Sequence, residues 1–401
     1  MPIYKYKAIG VNGQSHQGTF TANSQQEVIQ MLRSSNSYPV MIQEEVDSQL
    51  REVNLLGGVK TKDIAVFCRQ TYTMLNAGVP IINCLDILRS QTENKKLRNV
   101  LEEVYEEVQK GLTFSESLKK HMDIFPELLI HMVEAGEASG SIDTILERMA
   151  VHYEKETKIN NKIKGAMVYP IILSVVATVV VVFLLTFVMP TFIGMFQGSG
   201  VPLPLPTRIL MKFSELLKNF WYLFLLGIIA IVYGVKRYTL TTNGRLKFDK
   251  LKLNFPIIGG LTQKIITARF TRTLSTLLSS GIPLLQAMEN VANVVGNKVA
   301  ADGIMNVREE VRRGVPLAPP IRRLGIFPPM VDNMIHIGEE SGTLDDILDK
   351  TANFYDDEVE TALQKMVTLF EPIMILVMGL IIGFIVIAMV LPMFDMLKTV
   401  Q

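Results

Sequence analysis

From Lys62 onward the apolar residues recur at helical spacing. Ile64, Phe67, Cys68 and Leu75, with Thr71 between them, share one face of a helix, and Gly78-Val79-Pro80 stops that helix and starts the next. A Glu-rich amphipathic stretch from Leu97 to Val108 breaks at Gly111, and helices over Ser115–Lys120, before Gly136 and after Ser141 bring the number to about six. The polar interruptions then cease. Met167–Met189, Phe220–Val235 and Ile373–Met393 are almost free of charge, at or near the roughly 20 residues a helix needs to cross a bilayer. The second run is short unless it draws on the apolar residues before it. Ahead of Lys62 the period changes to two. Ile3–Ala8 alternates like a strand, Asn12-Gly13 signals a hairpin, and Gly18–Thr21 returns. Ser24, with Glu27 in the capping-box position, predicts a helix through Arg33, and Val40–Ile42 a further strand.

The helical pattern is written twice. Gly136-Glu137-Ala138-Ser139-Gly140-Ser141-Ile142-Asp143 recurs as Gly338-Glu339-Glu340-Ser341-Gly342-Thr343-Leu344-Asp345, 202 positions later. Tyr153-Glu154 returns as Tyr355-Asp356, Pro170 as Pro372 and Pro190 as Pro392 in the same register. Upstream, Phe67, Arg69, Gly78 and Pro80 return as Phe270, Arg272, Gly281 and Pro283, shifted by 203. A period this long means a duplicated domain rather than a solenoid. The expected fold is mainly α: an integral membrane protein with two duplicated cytoplasmic helical bundles, three transmembrane helices and a small N-terminal α/β unit. The expected divisions are the α/β unit (1–45), a linker (46–60), the first bundle (61–165), a span (166–190) and an external loop (191–219). A short span (220–235), the second bundle (236–368), a third span (369–394) and an external tail (395–401) follow.

Composition adds orientation. Forty basic against 39 acidic residues give a net charge of +1, so no global field points to nucleic acid. Lys155, Lys158, Lys162 and Lys164 precede the first span, and Lys236, Arg237, Arg245, Lys247, Lys250 and Lys252 follow the second. Only Arg208, Lys212 and Lys218 lie between, which places the N-terminus and both bundles in the cytoplasm. The first residues lack an apolar h-region, so no cleavable secretory signal is expected. Cys68 and Cys84 form no CxxC pair and read as reduced core residues.

The chain carries no phosphate-binding GxxxxGK[ST], no HExxH and no strand-borne GxGxxG, and His121, His131, His152 and His336 lack ligand spacing. Neither an enzyme nor a cofactor or metal site is expected. In the repeated corner, Gly136, Gly140, Gly338 and Gly342 supply backbone freedom, and Ser141 and Thr343 are candidate N-caps ahead of Asp143 and Asp345. For Glu137, Asp143, Glu339 and Asp345 two readings stand: parts of a tight helix corner, or groups that bind a partner or a cation. Mid-span polarity is limited to Ser174, Thr178, Thr186 and similar groups, which disfavours a transporter or channel. Glu371, just before Pro372, is the exception; Tyr169 takes its place before Pro170. It reads as an interfacial helix-start carboxylate or as a contact for a cationic group on a client helix. Pro170 and Pro372 are expected to bend the chain at membrane entry.

Taken in order, these motifs resemble the GspF/PilC family of inner-membrane platform proteins. The likeness covers Phe67-x-Arg69-Gln70, Ala77-Gly78-Val79-Pro80, Leu203-Pro204-Leu205-Pro206-Thr207, Ala268-Arg269-Phe270 and Phe327-Pro328-Pro329, besides the two corners. It implies a non-enzymatic platform for type IV pilus assembly, or for a pseudopilus in type II secretion. The implied partners are a cytoplasmic hexameric ATPase, pilin or pseudopilin subunits, other inner-membrane assembly proteins and further copies of the chain, as a dimer or tetramer. One departure is Pro316-Leu317-Ala318-Pro319-Pro320, where the first copy has Ser115-Glu116. A shortened helix is expected there.

Overall fold

The computed structural model describes residues 3–10, 15–21, 25–34, 37–45, 58–196, 204–256 and 258–399. Asn12-Gly13, the Ser24 cap, most of the 46–60 linker, Val201–Leu203 and the end of the tail lie outside them. The chain divides into two units, Met1–Gly58 and Val59–Gln401.

In the first unit, β1 (Ile3–Gly10) lies between β2 (Ser15–Thr21) and β3 (Ser37–Glu45), antiparallel to both, and α1 (Gln25–Ser34) connects the outer two in sequence. Tyr4 pairs with Phe20 and Tyr6 with Ile42. Ala8, Val28 and Leu32 are fully buried, the last two four residues apart on one helix face.

The second unit opens with α2 (Thr61–Asn76), α3 (Ile81–Gln91), α4 (Lys95–Gln109), α5 (Phe114–Lys119), α6 (Glu127–Ser139) and α7 (Ile142–Phe183). A π-helical turn, Leu184–Val188, carries α7 into α8 (Met189–Phe196). Then come α9 (Leu205–Thr239) and α10 (Thr242–Asn254). The second copy is α11 (Ile258–Ser279), α12 (Leu284–Val294), α13 (Lys298–Arg312), α14 (Ala318–Leu324), α15 (Pro329–Ser341) and α16 (Leu344–Thr399). Each copy is therefore six helices. Within each, the first helix packs along the last, α2 on α7 and α11 on α16.

A continuous set of buried apolar side chains runs through both bundles. Phe67 centres the first, its ring 5.5 Å from Phe125 and 6.5 Å from Phe114. In the second, Phe270 meets Phe327 at 4.6 Å, and Leu317 stands where Phe114 does in the first. Cys68 and Cys84 are buried free thiols, and burial pushes the Cys68 thiol far up.

Three helices are long and apolar enough to cross a membrane: Ile142–Phe192, Leu205–Thr239 and Leu344–Pro392. The first and third begin in the bundles, so one helix spans corner and apolar run without a break. At 1.5 Å per residue, the 56 residues of α16 extend roughly 84 Å. The stretch 191–219, expected as a loop, holds the end of α8 and the first half of α9. Helix α9 bends at Phe220, where φ is −128° and ψ 26°. Before that break Thr207, Leu210 and Ser214 are buried against the other two spans. The Thr207 hydroxyl donates to the Ala388 carbonyl at 2.5 Å and the Ser214 hydroxyl to the Leu185 carbonyl in the π turn at 2.5 Å. In an apolar medium such bonds leave few alternative partners and fix the packing of the three helices. Ser174, Thr178 and Thr186 donate to carbonyls four residues back on their own helix.

Candidate functional site

The repeated corner joins α6 to α7 and α15 to α16. Gly140 and Gly342 adopt φ of 70° and 69°, a region costly for residues with a Cβ. The Ser141 N–H reaches the Gly136 carbonyl at 2.9 Å and the Thr343 N–H the Gly338 carbonyl at 3.1 Å, so each helix closes in a left-handed cap that satisfies a terminal carbonyl. Gly136 and Gly338 serve a different need. A Cβ on Gly338 would sit 2.9 Å from the Leu344 Cα, and one on Gly136 2.9 Å from the Ile145 Cγ1, so the outgoing helix lies directly on the incoming one. Among the described residues Ser141 and Thr343 make no side-chain N-cap bond of the kind expected. Their hydroxyls pair with those of Ser139 and Ser341, each at 2.7 Å.

The two glutamates of the corner hold a neighbouring helix. Glu137 accepts from the Phe114 N–H at 2.6 Å, the Ser115 N–H at 3.0 Å and the Ser115 hydroxyl, all at the start of α5. Glu339 does the same for Leu317 N–H at 2.5 Å and Ala318 N–H at 3.1 Å at the start of α14. First-turn N–H groups have no partner within their helix, and the helix dipole favours a negative charge there. Both carboxylates are thereby committed within the fold. The expected shortening of the second copy's short helix does not occur, since α14 has seven residues and α5 six. In α5, Thr113 and Glu116 complete a capping box. In α14 the corresponding donors are absent, because the equivalents of Thr113 and Glu116 are Pro316 and Pro319, which carry no N–H; Pro319 and Pro320 are tolerated in a first turn.

Asp143 and Asp345 begin α7 and α16, are half-buried, and make no ion pair among the described residues. Asp345 lines a cavity of about 310 Å³ together with Asp346, Asp349, Glu147 and Arg148. Arg148 crosses to the second copy, donating to the Ser279 and Ser280 hydroxyls at 2.9 and 3.0 Å. Glu371 is exposed on α16, 26 residues beyond Asp345, or roughly 39 Å along the helix. The structure thus does not bring it to the corner. Pro170 and Pro372 both lie inside continuous helices.

Sequence reasoning noted the recurrence of Arg69 and Glu154 as Arg272 and Asp356 without assigning them a role. In the fold they are ion pairs between the first and last helix of each bundle. Arg69 grips Glu154 through Nε and Nη2, both at 2.7 Å, which holds the Glu154 carboxyl below its ordinary range. Arg272 donates to Asp349 and Asp356 at 2.7 Å and to Asn353 at 2.9 Å. The common offset and the opposite charges were the available signal. The copies are also tied to each other. Lys155 donates to Asn353 at 2.8 Å, Lys162 pairs with Glu360, and His131 Nδ1 lies 3.0 Å from Asn290 Oδ1. His152 is buried at this junction in the charged part of α7, ahead of the apolar run. Neither ring nitrogen has a partner among the described residues. Burial, then the charges of Arg272 and Arg269, lower its pKa to about 4. Among the described residues no cluster of three or more His, Cys, Asp or Glu is placed to hold a metal ion.

The family model for "Type II secretion system (T2SS), protein F" matches residues 67–190 and again 270–392, and that for its N-terminal domain matches residues 1–43. The chain belongs to this family, the GspF/PilC family. The twofold match falls on the two bundles and the spans that continue from them. Among its members, the type IV pilus assembly protein PilC of Thermus thermophilus is 39% identical over all of both chains. PilC of Myxococcus xanthus is 37% identical over 99% of this chain and 96% of its own. The type II secretion system protein F of Vibrio cholerae is 32% identical over 99% and 98%. GspF/PilC membership accounts for the duplication.

Proposed function

We propose that this chain is a non-enzymatic, multi-pass platform of the bacterial inner membrane that serves type IV pilus assembly. A cytoplasmic hexameric ATPase engages the helical bundles, and pilin subunits enter or leave the bilayer beside the spans. The observation that carries this reading is the continuity of α7 and α16. Each is a single helix from its corner into the apolar run, and Lys162–Glu360 and Lys155–Asn353 link the two side by side. A displacement imposed at the corners therefore reaches the membrane without a flexible joint. Extracting an apolar helix from lipid requires a replacement apolar surface, and the exposed side chains of the spans, such as Ile375, Leu376 and Leu380, offer one. Two like domains per chain, in a dimer or tetramer, give a symmetric motor several points of attachment.

Glu137 and Glu339 are engaged within the fold, so Asp143 and Asp345 are the corner carboxylates assigned to the partner. Replacing both by Lys is expected to weaken co-purification of the ATPase while membrane insertion is retained; undiminished co-purification would rule the assignment out. Glu371 is assigned to a client helix, and normal pilus assembly by Glu371→Gln would make that carboxylate structural. The relatives named type II secretion system protein F favour a second reading, the same role for a pseudopilus. A deletion strain separates them: loss of surface pili with secretion intact supports the first, and the reverse supports the second.

A further inference from the structure

Where α2 begins, the first bundle meets the second around a cavity of about 370 Å³, within the size range of small-molecule sites. Lys60, Thr61, Glu127, Tyr153, Glu156 and Asn293 are among its polar lining. Tyr153 is buried, and its hydroxyl has no hydrogen-bond partner among the described residues. A buried hydroxyl without a partner is unfavourable, and Tyr153 borders the cavity. Among the described residues Glu156 makes one ion pair, with Arg269 at 3.9 Å, too long for a hydrogen bond.

The second copy shows how the same place is completed. Glu156 corresponds to Glu358, and Thr61, at the 203-residue offset of the first helices, corresponds to Lys264. In the second copy the Lys264 ammonium donates to Glu358 at 2.6 Å, and Gln263 donates to the Ile326 carbonyl at 2.7 Å. Helix α11 starts at Ile258, so Gln263 and Lys264 are already within it. Helix α2 starts only at Thr61, the position equivalent to Lys264, and a short hydroxyl side chain stands where the second copy sends an ammonium. The glutamate is kept in both copies while its lysine is missing from the first.

We propose that this cavity binds the ammonium end of an alkylamine, which takes the place beside Glu156 that Lys264 fills beside Glu358, with Glu127 as a further acceptor. The amine is either a free diamine or the side chain of a lysine presented by another protein. The two share a butyl-ammonium arm that a site of this volume accommodates.

The test is calorimetric titration of the full chain in detergent with two probes, 1,4-diaminobutane and Nα-acetyl-lysine amide. Wild type is expected to bind at least one of them. Glu156→Gln is expected to lose that binding, through loss of the carboxylate charge. Thr61→Lys is expected to lose it by occupation, with a raised Tm, since it rebuilds the second copy's ion pair inside the first. Binding of the diamine alone assigns a free polyamine, and binding of the lysine amide alone, or of both, assigns a lysine arm. Absence of binding to either probe by wild type overturns the proposal, as does binding that persists in Glu156→Gln or in Thr61→Lys. A Lys60→Ala variant checks the cation that the lining itself supplies. If wild type is silent and this variant binds, Lys60 is the occupant and no external amine is required.

Discussion

The two copies share helices, corners and offsets, yet they complete the same positions with different chemistry. In the first, the short helix α5 is closed by Glu137 together with a Thr113–Glu116 capping box; in the second, α14 is closed by Glu339 while Pro316 and Pro319 remove the donors that a box would serve. In the first, the bidentate Arg69–Glu154 pair lies open to solvent, at 36% and 45% side-chain exposure; in the second, Arg272 and Asp356 are at 10% and 16%, with Asp349 and Asn353 drawn in. The second copy has moved its polar contacts inward. That difference teaches which copy the fold leans on, because a contact weighs more as its surroundings become less like water.

The largest expected effect is therefore at Arg272. Arg272→Met leaves the largely buried Asp356 without its cation, a loss on the order of 3–5 kcal/mol. The same change at Arg69 breaks a solvent-screened pair and is expected to cost about 1 kcal/mol or less. Melting temperatures of the two variants in detergent measure the contrast, and equal shifts would erase the distinction between an inner and an outer pair. Next are the corner glutamates. Glu339→Ala leaves the N–H groups of Leu317 and Ala318 without acceptors at about 1–3 kcal/mol each. Glu137→Ala frees the Phe114 and Ser115 N–H groups and the Ser115 hydroxyl as well, donors the capping box does not serve, so its Tm is expected to fall at least as far.

Much of this architecture was legible beforehand, because helical periodicity and a constant offset are local and countable. The six helices per copy, the charge-free runs and the Schellman-type glycines all follow from spacing. The corner glutamates were legible only as recurring residues. Their partners are backbone N–H groups 21 to 23 positions upstream, and a backbone donor leaves no residue-type signature. Arg69 and Glu154 are 85 positions apart, so nothing in their neighbourhood announces the pair. The start of α9 was placed late because Arg208, Lys212, Glu215 and Lys218 interrupt the apolar run, although the helix already exists at Leu205. Charge excludes such a segment from a hydropathy reading without excluding it from a helix.

The copies also differ at His152, whose counterpart is Phe354. Rings at both positions meet the following tyrosine edge-on, at 5.2 and 5.3 Å, so His152→Phe preserves the shape. The buried imidazole has its pKa at about 4, below the ordinary 6.5, so between those values the unfolded chain takes up a proton that the folded chain refuses. Stability is complete above about pH 6.5 and declines as the pH falls toward 4. From pH 7 to pH 5 the loss is about 2 kcal/mol by linkage. His152→Phe is expected to flatten that part of the Tm-versus-pH curve. An unchanged slope would transfer the acid sensitivity to other groups.

The smallest effect expected lies in the capping box that the first copy alone possesses. Thr113 Oγ1 accepts from the Glu116 N–H at 3.2 Å, and Glu116 returns the bond by accepting from the Thr113 N–H at 3.1 Å. Removing the hydroxyl in Thr113→Ala frees one first-turn donor, worth about 1 kcal/mol at an N-cap. Glu137 continues to hold the next two N–H groups, so α5 is expected to remain and the Tm to fall by a few degrees. In the second copy the Glu116 position is Pro319, which has no donor to free. If Thr113→Ala together with Glu116→Pro recovers the lost Tm, proline and the box are alternative solutions to one problem. If the double variant falls further than the single one, the box contributes through Glu116 contacts that proline does not replace.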